Sequence, residues 1–205
     1  MFNTEELYVE VGSEVLRRRG KAFVPELLDA MMGLRPPQAI ARMIQWHQLD
    51  ATVEQLEAES REIFQPLLDS RLQPMPGLLE LLSALESAGI PKAVATSSGR
   101  DFVENVLSRF DLLPRFQFVL AAEDVRQGKP DPEIYLTAAG LFSAEPAELV
   151  VLEDSHNGCR AAVAAGTRAV AVPGTHSAHH EFCGASLIVS SLADEQLWSL
   201  LSLSD

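Results

Sequence analysis

From Asn3 to about Leu72, apolar residues recur at helical spacing and nowhere alternate as they do in a strand. Asn3 or Thr4 starts a first helix, with Glu5 and Glu6 in its opening turn and Gly20 near its stop. Leu7, Val11, Val15 and Leu16 make its apolar stripe. Pro25 opens a second helix over residues 26–32 and Pro37 a third over 38–48; Thr52 starts a fourth over 53 to about 70. Trp46 and the Met31–Met32 pair read as core of this small helical bundle, and Arg17, Arg18 and Arg19 as a solvated helix end favoured by the macrodipole.

The pattern changes after RLQPMPG, residues 71–77, a Pro-punctuated linker. Helices are predicted over 78–88, 100–110, 132–141, 155–165 and near 194–201. Short apolar runs at 92–95, 116–120, 149–152, 168–172 and 187–189 read as strands. Such alternation predicts right-handed βαβ units and a doubly wound, parallel α/β sheet. The run at 149–152 reads as buried on both faces. The expected organisation is a helical domain over 3–72 and an α/β domain over 75–205.

Composition narrows the function classes. A formal net charge of −13 repels phosphate backbones and argues against nucleic-acid binding. No apolar run is long enough to span a membrane, and MFNTEELYVE is acidic rather than a signal peptide. The two cysteines, Cys159 and Cys183, form no CxxC motif, so a reducing cytoplasm is the expected location. Cys159 falls in a helical apolar pattern and reads as small core packing.

The chemistry gathers where parallel strands end. After PKAVA comes Thr96-Ser97-Ser98-Gly99, hydroxyls and free N–H groups suited to a phosphate or, equally, to capping the next helix. After FVLAAEDV comes GKPDP, with Lys129 on a stiff turn, by itself an ordinary loop lysine. After LVVL come Glu153 and Asp154, adjacent carboxylates that repel unless a cation or hydrogen bonds compensate them. Mg²⁺, a hard ion with oxygen ligands, is one partner. The alternative is that Asp154 or Ser155 caps the following helix and Glu153 adds favourable charge there. Their occurrence after three strands in order favours a common site over independent accidents.

ATSSGR, GKPDP and LEDSHNG closely resemble the second, third and fourth motifs of the haloacid dehalogenase-like hydrolases. The helical segment resembles the cap of that family's phosphatase and β-phosphoglucomutase-like branch. The resemblance implies a Rossmann-like core, Mg²⁺ dependence and a small phosphorylated metabolite, such as a sugar phosphate, as substrate. It implies that Thr96 binds the transferring phosphoryl group with the Ser97 backbone, and that Lys129 neutralises phosphate and nucleophile charge. Glu153 and Asp154 would position the metal, directly or through water. Arg35 lies where the family's cap often meets substrate, although a solvent-facing loop arginine is an equal reading.

The family's first motif, DxDG, which supplies the nucleophile of an aspartyl-phosphate mechanism, does not occur in these 205 residues. MFNTE resembles the phrase that follows it, so by register both aspartates would fall a few residues before Met1, which is then an internal methionine or the start of a truncated paralogue. The first strand is central in the family, so the expectation is a gapped or rearranged sheet, or reduced stability, and a chain with little or no turnover. A mutase is the rival within the family; the histidine of its first cap helix aligns with Tyr8, which favours the phosphatase. A third reading is non-catalytic binding of phosphate or a partner. His176, His179 and His180 near Cys183 match no standard metal spacing and read as a surface loop, and His47 and His156 as incidental.

Overall fold

Four helices precede residue 72 in the computed structural model, which describes residues 1–203. They are α1 (Thr4–Arg17), α2 (Pro25–Met31), α3 (Pro36–His47) and α4 (Val53–Arg71). The chain divides into two compact units, Met1–Pro74 and Met75–Asp205.

In the first unit the predicted stripe of α1 is the core: Leu7, Val15 and Leu16 are completely buried and Val11 nearly so. Each contributes about 1.5–3 kcal/mol of apolar burial. Thr52 starts α4 with a full capping box, its hydroxyl accepting from Gln55 N–H and the Gln55 amide oxygen from Thr52 N–H. The arginine triplet does more than end a helix in solvent. Arg17 and Arg18 pair with Glu14, while Arg18 and Arg19 both reach Glu59, at 3.0 and 2.6 Å, so the end of α1 is tied to α4. Trp46 is not core: it is 46% exposed, and Met43, one turn earlier in α3, is the buried residue. Met31 and Met32 are only half-buried.

The second unit carries α5 (Leu78–Ser87), β1 (Val94–Ala95), α6 (Arg100–Ser108), β2 (Val119–Leu120) and α7 (Glu133–Phe142). β3 (Val150–Glu153), α8 (His156–Ala164), β4 (Arg168–Ala171), β5 (Leu187–Ile188) and α9 (Glu195–Leu200) follow. All strand pairings are parallel, as alternation with helices requires. The strands come as two sheets, β1-β2 and β3-β4-β5, rather than one. Among the described residues no strand lies on the free edge of β1 or of β3, which is the gapped sheet that the sequence predicts.

The run around β3 is not buried on both faces: Val151 is 8% exposed but Leu152, on the opposite face, is 36% exposed. The strands at 92–95 and 116–120 shorten to two residues each, yet Lys92 O still accepts from Gln117 N at 2.9 Å, so pairing begins where the apolar runs do. Gly77 has φ +81, and any Cβ there would press against the Ala193 backbone, so the linker ends on a residue that only glycine fits. No helix among the described residues is long and apolar enough to cross a membrane.

Candidate active site

β1 delivers Thr96 at its carboxyl end, where Thr96 N–H continues the parallel ladder to Leu120 O at 2.9 Å. The Thr96 hydroxyl accepts from Ser98 N–H at 3.1 Å, which curls Thr96-Ser97-Ser98 into a tight half-buried loop. The helix behind that loop is already capped. Both Glu123 carboxylate oxygens accept from Arg100 N–H at 3.1 Å, so an anion at this edge would meet the loop rather than the start of α6. The Arg100 guanidinium is fixed in turn by Asp124 at 2.5 Å and by Val119 O at 3.2 Å.

The turn that carries Lys129 is built by two acids of its own segment. Asp131 Oδ1 accepts from Glu133 N–H at 3.0 Å, and the Glu133 carboxylate accepts from Arg126 and Gln127 N–H at 2.8–3.1 Å. Lys129 is thus no solvent-facing loop lysine; it is 9% exposed. Its ammonium donates to Ala95 O, the end of β1, at 3.1 Å and to Glu153 Oε1, the end of β3. One side chain therefore spans the carboxyl ends of strands from the two sheets. An ammonium has three N–H donors, and these contacts use two.

Glu153 and Asp154 are adjacent in sequence but differ in surroundings. Glu153, the last residue of β3, is 7% exposed. Its Oε1 accepts from both Lys129 Nζ and Tyr135 OH, and its Oε2 faces Ser155 Oγ at 3.4 Å. Asp154 is exposed and engages no hydrogen-bond or ion-pair partner among the described residues. The helix cap that competes with a metal in the sequence reading falls to Ser155, whose hydroxyl accepts from Gly158 N–H at 3.1 Å. With the cap supplied by Ser155 and Glu153 neutralised by Lys129, Asp154 is the uncompensated oxygen donor at this edge. It fits a hard divalent cation.

Tyr135 escapes the sequence reading. It sits in the first turn of α7, six residues after Lys129, and is 3% exposed. Burial first, and then the Glu153 charge, holds its phenol well above the ordinary tyrosine range. The Lys129 ammonium lies 5.1 Å above its ring. Burial, followed by the charges of Glu153 and Cys183, likewise pushes the Cys159 thiol up, in keeping with its reading as packing.

Elsewhere in this unit His180 makes edge contacts with His156 at 4.9 Å and His179 at 4.6 Å, measured between ring centroids. Arg35 immediately precedes α3 in the other unit and is half-buried. Tyr8 stacks against Phe64 at 4.7 Å, a packing role within the helical unit.

A family model described as haloacid dehalogenase-like hydrolase matches residues 1–172. The chain is 30% identical over 166 residues to a phosphorylated carbohydrates phosphatase of Thermotoga maritima, covering 81% of this chain and 77% of that one. It is 28% identical over 208 residues to a bifunctional riboflavin kinase/FMN phosphatase of Arabidopsis thaliana; the match covers 100% of this chain but only 55% of that protein's length. Among solved structures it resembles CbbY from Rhodobacter sphaeroides in complex with xylulose-(1,5)bisphosphate. The TM-score is 0.83 and the identity 29%, over 95% of this chain and 91% of that one.

Proposed function

We propose that this chain, which belongs to the haloacid dehalogenase-like hydrolase family, carries the phosphate- and metal-binding half of a Mg²⁺-dependent phosphatase for a small phosphorylated metabolite. By family it is a hydrolase of phosphoric monoesters that acts on phosphorylated small molecules. The observation that carries the reading is Lys129, buried between Ala95 O and Glu153 with one N–H donor to spare. A cation fixed at the carboxyl ends of parallel strands is where such folds bind their ligands.

In this reading the Thr96 hydroxyl donates to a phosphoryl oxygen while its lone pair stays with Ser98 N–H, and the Ser97 backbone adds a second donor. Lys129 offsets the charge of the phosphoryl group. Asp154 holds Mg²⁺, and Glu153 acts through Lys129 or through water. Mg²⁺ supplies charge neutralisation and orients the phosphoryl oxygens. The names of the relatives favour a sugar phosphate or a similar phosphorylated metabolite as substrate. Residues 3–72 serve as the helical cap domain and residues 75–205 as the α/β domain, with Arg35 a candidate substrate contact of the first. Aspartyl-phosphate chemistry needs the DxDG aspartates, which these 205 residues do not contain. The chain as given therefore binds but turns over little or nothing.

A phosphate-release assay over a panel of sugar phosphates, with Mg²⁺, tests this. The chain as given is expected to release no phosphate. The same chain preceded by a DxDG strand is expected to release it, and to stop when Thr96 is replaced by valine. Robust Mg²⁺-dependent turnover by the 205-residue chain, or none by the extended one, would sink the reading.

A further inference from the structure

We propose that Tyr135 is the positioning residue of this site: it keeps the Lys129 ammonium from giving Glu153 a second N–H and so leaves a donor for the phosphoryl group. The proposal rests on the phosphate-binding reading above for what Lys129 is held ready to do, and on Tyr135's own contacts for how.

Tyr135 touches both members of the buried pair. Its hydroxyl donates to Glu153 Oε1, the oxygen that Lys129 also approaches, and its ring lies 5.1 Å under the Lys129 ammonium. Lys129 and Glu153 are both more than nine-tenths buried, and a buried ion pair is tolerable only when further hydrogen bonds satisfy its remaining lone pairs. The phenol is the one uncharged side chain that donates to Oε1 among the described residues. It withdraws part of the carboxylate's negative charge, while the ring face stabilises the cation from another side. With the phenol present, Glu153 Oε1 is satisfied by two donors and Lys129 spends one N–H on it. Without the phenol, Glu153 makes up its deficit from Lys129, and the free donor is lost.

Tyr135→Phe isolates the claim, because it keeps the ring and the packing and deletes only the hydroxyl. The readout is the ¹H–¹⁵Nζ signal of Lys129, alongside the dissociation constant for inorganic phosphate in the presence of Mg²⁺. The variant is expected to shift the Lys129 signal and to raise the phosphate dissociation constant about tenfold, the scale of one hydrogen bond to a charged group. A Lys129 signal unmoved in the variant overturns the proposal whatever phosphate does. A moved signal in a protein that never binds phosphate leaves the positioning intact and refutes the phosphatase reading instead.

Should the phenylalanine variant not fold, 3-fluorotyrosine serves, since Tyr8 and Tyr135 are the only tyrosines. The ¹⁹F signal of Tyr135 must then respond to Glu153→Gln. A signal indifferent to that change overturns the contact on which the proposal stands.

Discussion

Glu153 lies flat against Gly158: a Cβ added at Gly158 would overlap the carboxyl carbon and both oxygens of the Glu153 side chain. The first turn of α8 is thus the floor on which the buried carboxylate rests, and its glycine is a matter of close approach rather than of backbone freedom. Gly158→Ala is expected to destabilise by about 1–3 kcal/mol, the usual cost of overpacking. In a Glu153→Ala background the same change should cost far less. Urea denaturation of the four proteins gives the coupling directly. Additive losses would mean that the two residues do not meet.

Lys129 compensates a charge that has almost no water. Lys129→Met is expected to cost about 3–5 kcal/mol, because it strands Glu153 in the interior. Glu153→Gln added to that variant should restore most of the loss, which thermal or urea unfolding will report. A mild cost for Lys129→Met alone would show that Glu153 finds solvent.

Tyr135 fixes the sign of an alkaline effect. Its folded value lies well above the ordinary 10, because burial and the Glu153 charge disfavour the phenolate. Below pH about 10 both states hold the proton and the contribution is complete; above it only the unfolded chain ionises, so stability falls as pH rises toward the folded value. Tyr135→Phe is expected to flatten this alkaline fall in urea midpoints measured on either side of pH about 10. The tyrosinate absorbance of Tyr135 should appear only as the protein unfolds.

How much of this was legible in the chain differs by residue. The positions of Thr96 and Glu153 at strand ends, and of Lys129 on the turn before α7, could be read because each follows an apolar run; their roles belong to the proposed function. The division of labour between Glu153 and Asp154 could not, since it depends on which face of β3 each side chain leaves. Tyr135 was hidden because a tyrosine in an apolar helix looks like core, and it becomes part of the site only when α7 sets it beneath Lys129. Trp46 misled for the opposite reason: its size suggests burial, whereas its position on α3 leaves it 46% exposed.

At the acid end, Glu86 keeps its negative charge down to a pH of about 2, against 4.5 ordinarily, because of hydrogen bonds first from Arg115 and then from Lys92. A depressed carboxylate stabilises above its unfolded value and loses that contribution as pH falls through the folded one. A carboxyl NMR titration should find Glu86 ionised at pH 3, and Arg115→Ala should move its midpoint back toward 4.5. The stability effect is expected to be slight, since the pair is solvent-exposed.

The central claim is that this strand edge binds phosphate together with a divalent cation. Calorimetric titration of inorganic phosphate into the protein, with and without Mg²⁺, tests it most directly when paired with Asp154→Asn. Asp154 is exposed and has no partner among the described residues, so the variant should melt like the parent. The account predicts phosphate binding that strengthens with Mg²⁺ in the parent and loses that dependence in Asp154→Asn. Equal, Mg²⁺-independent binding by both proteins, or no binding by either, would contradict it.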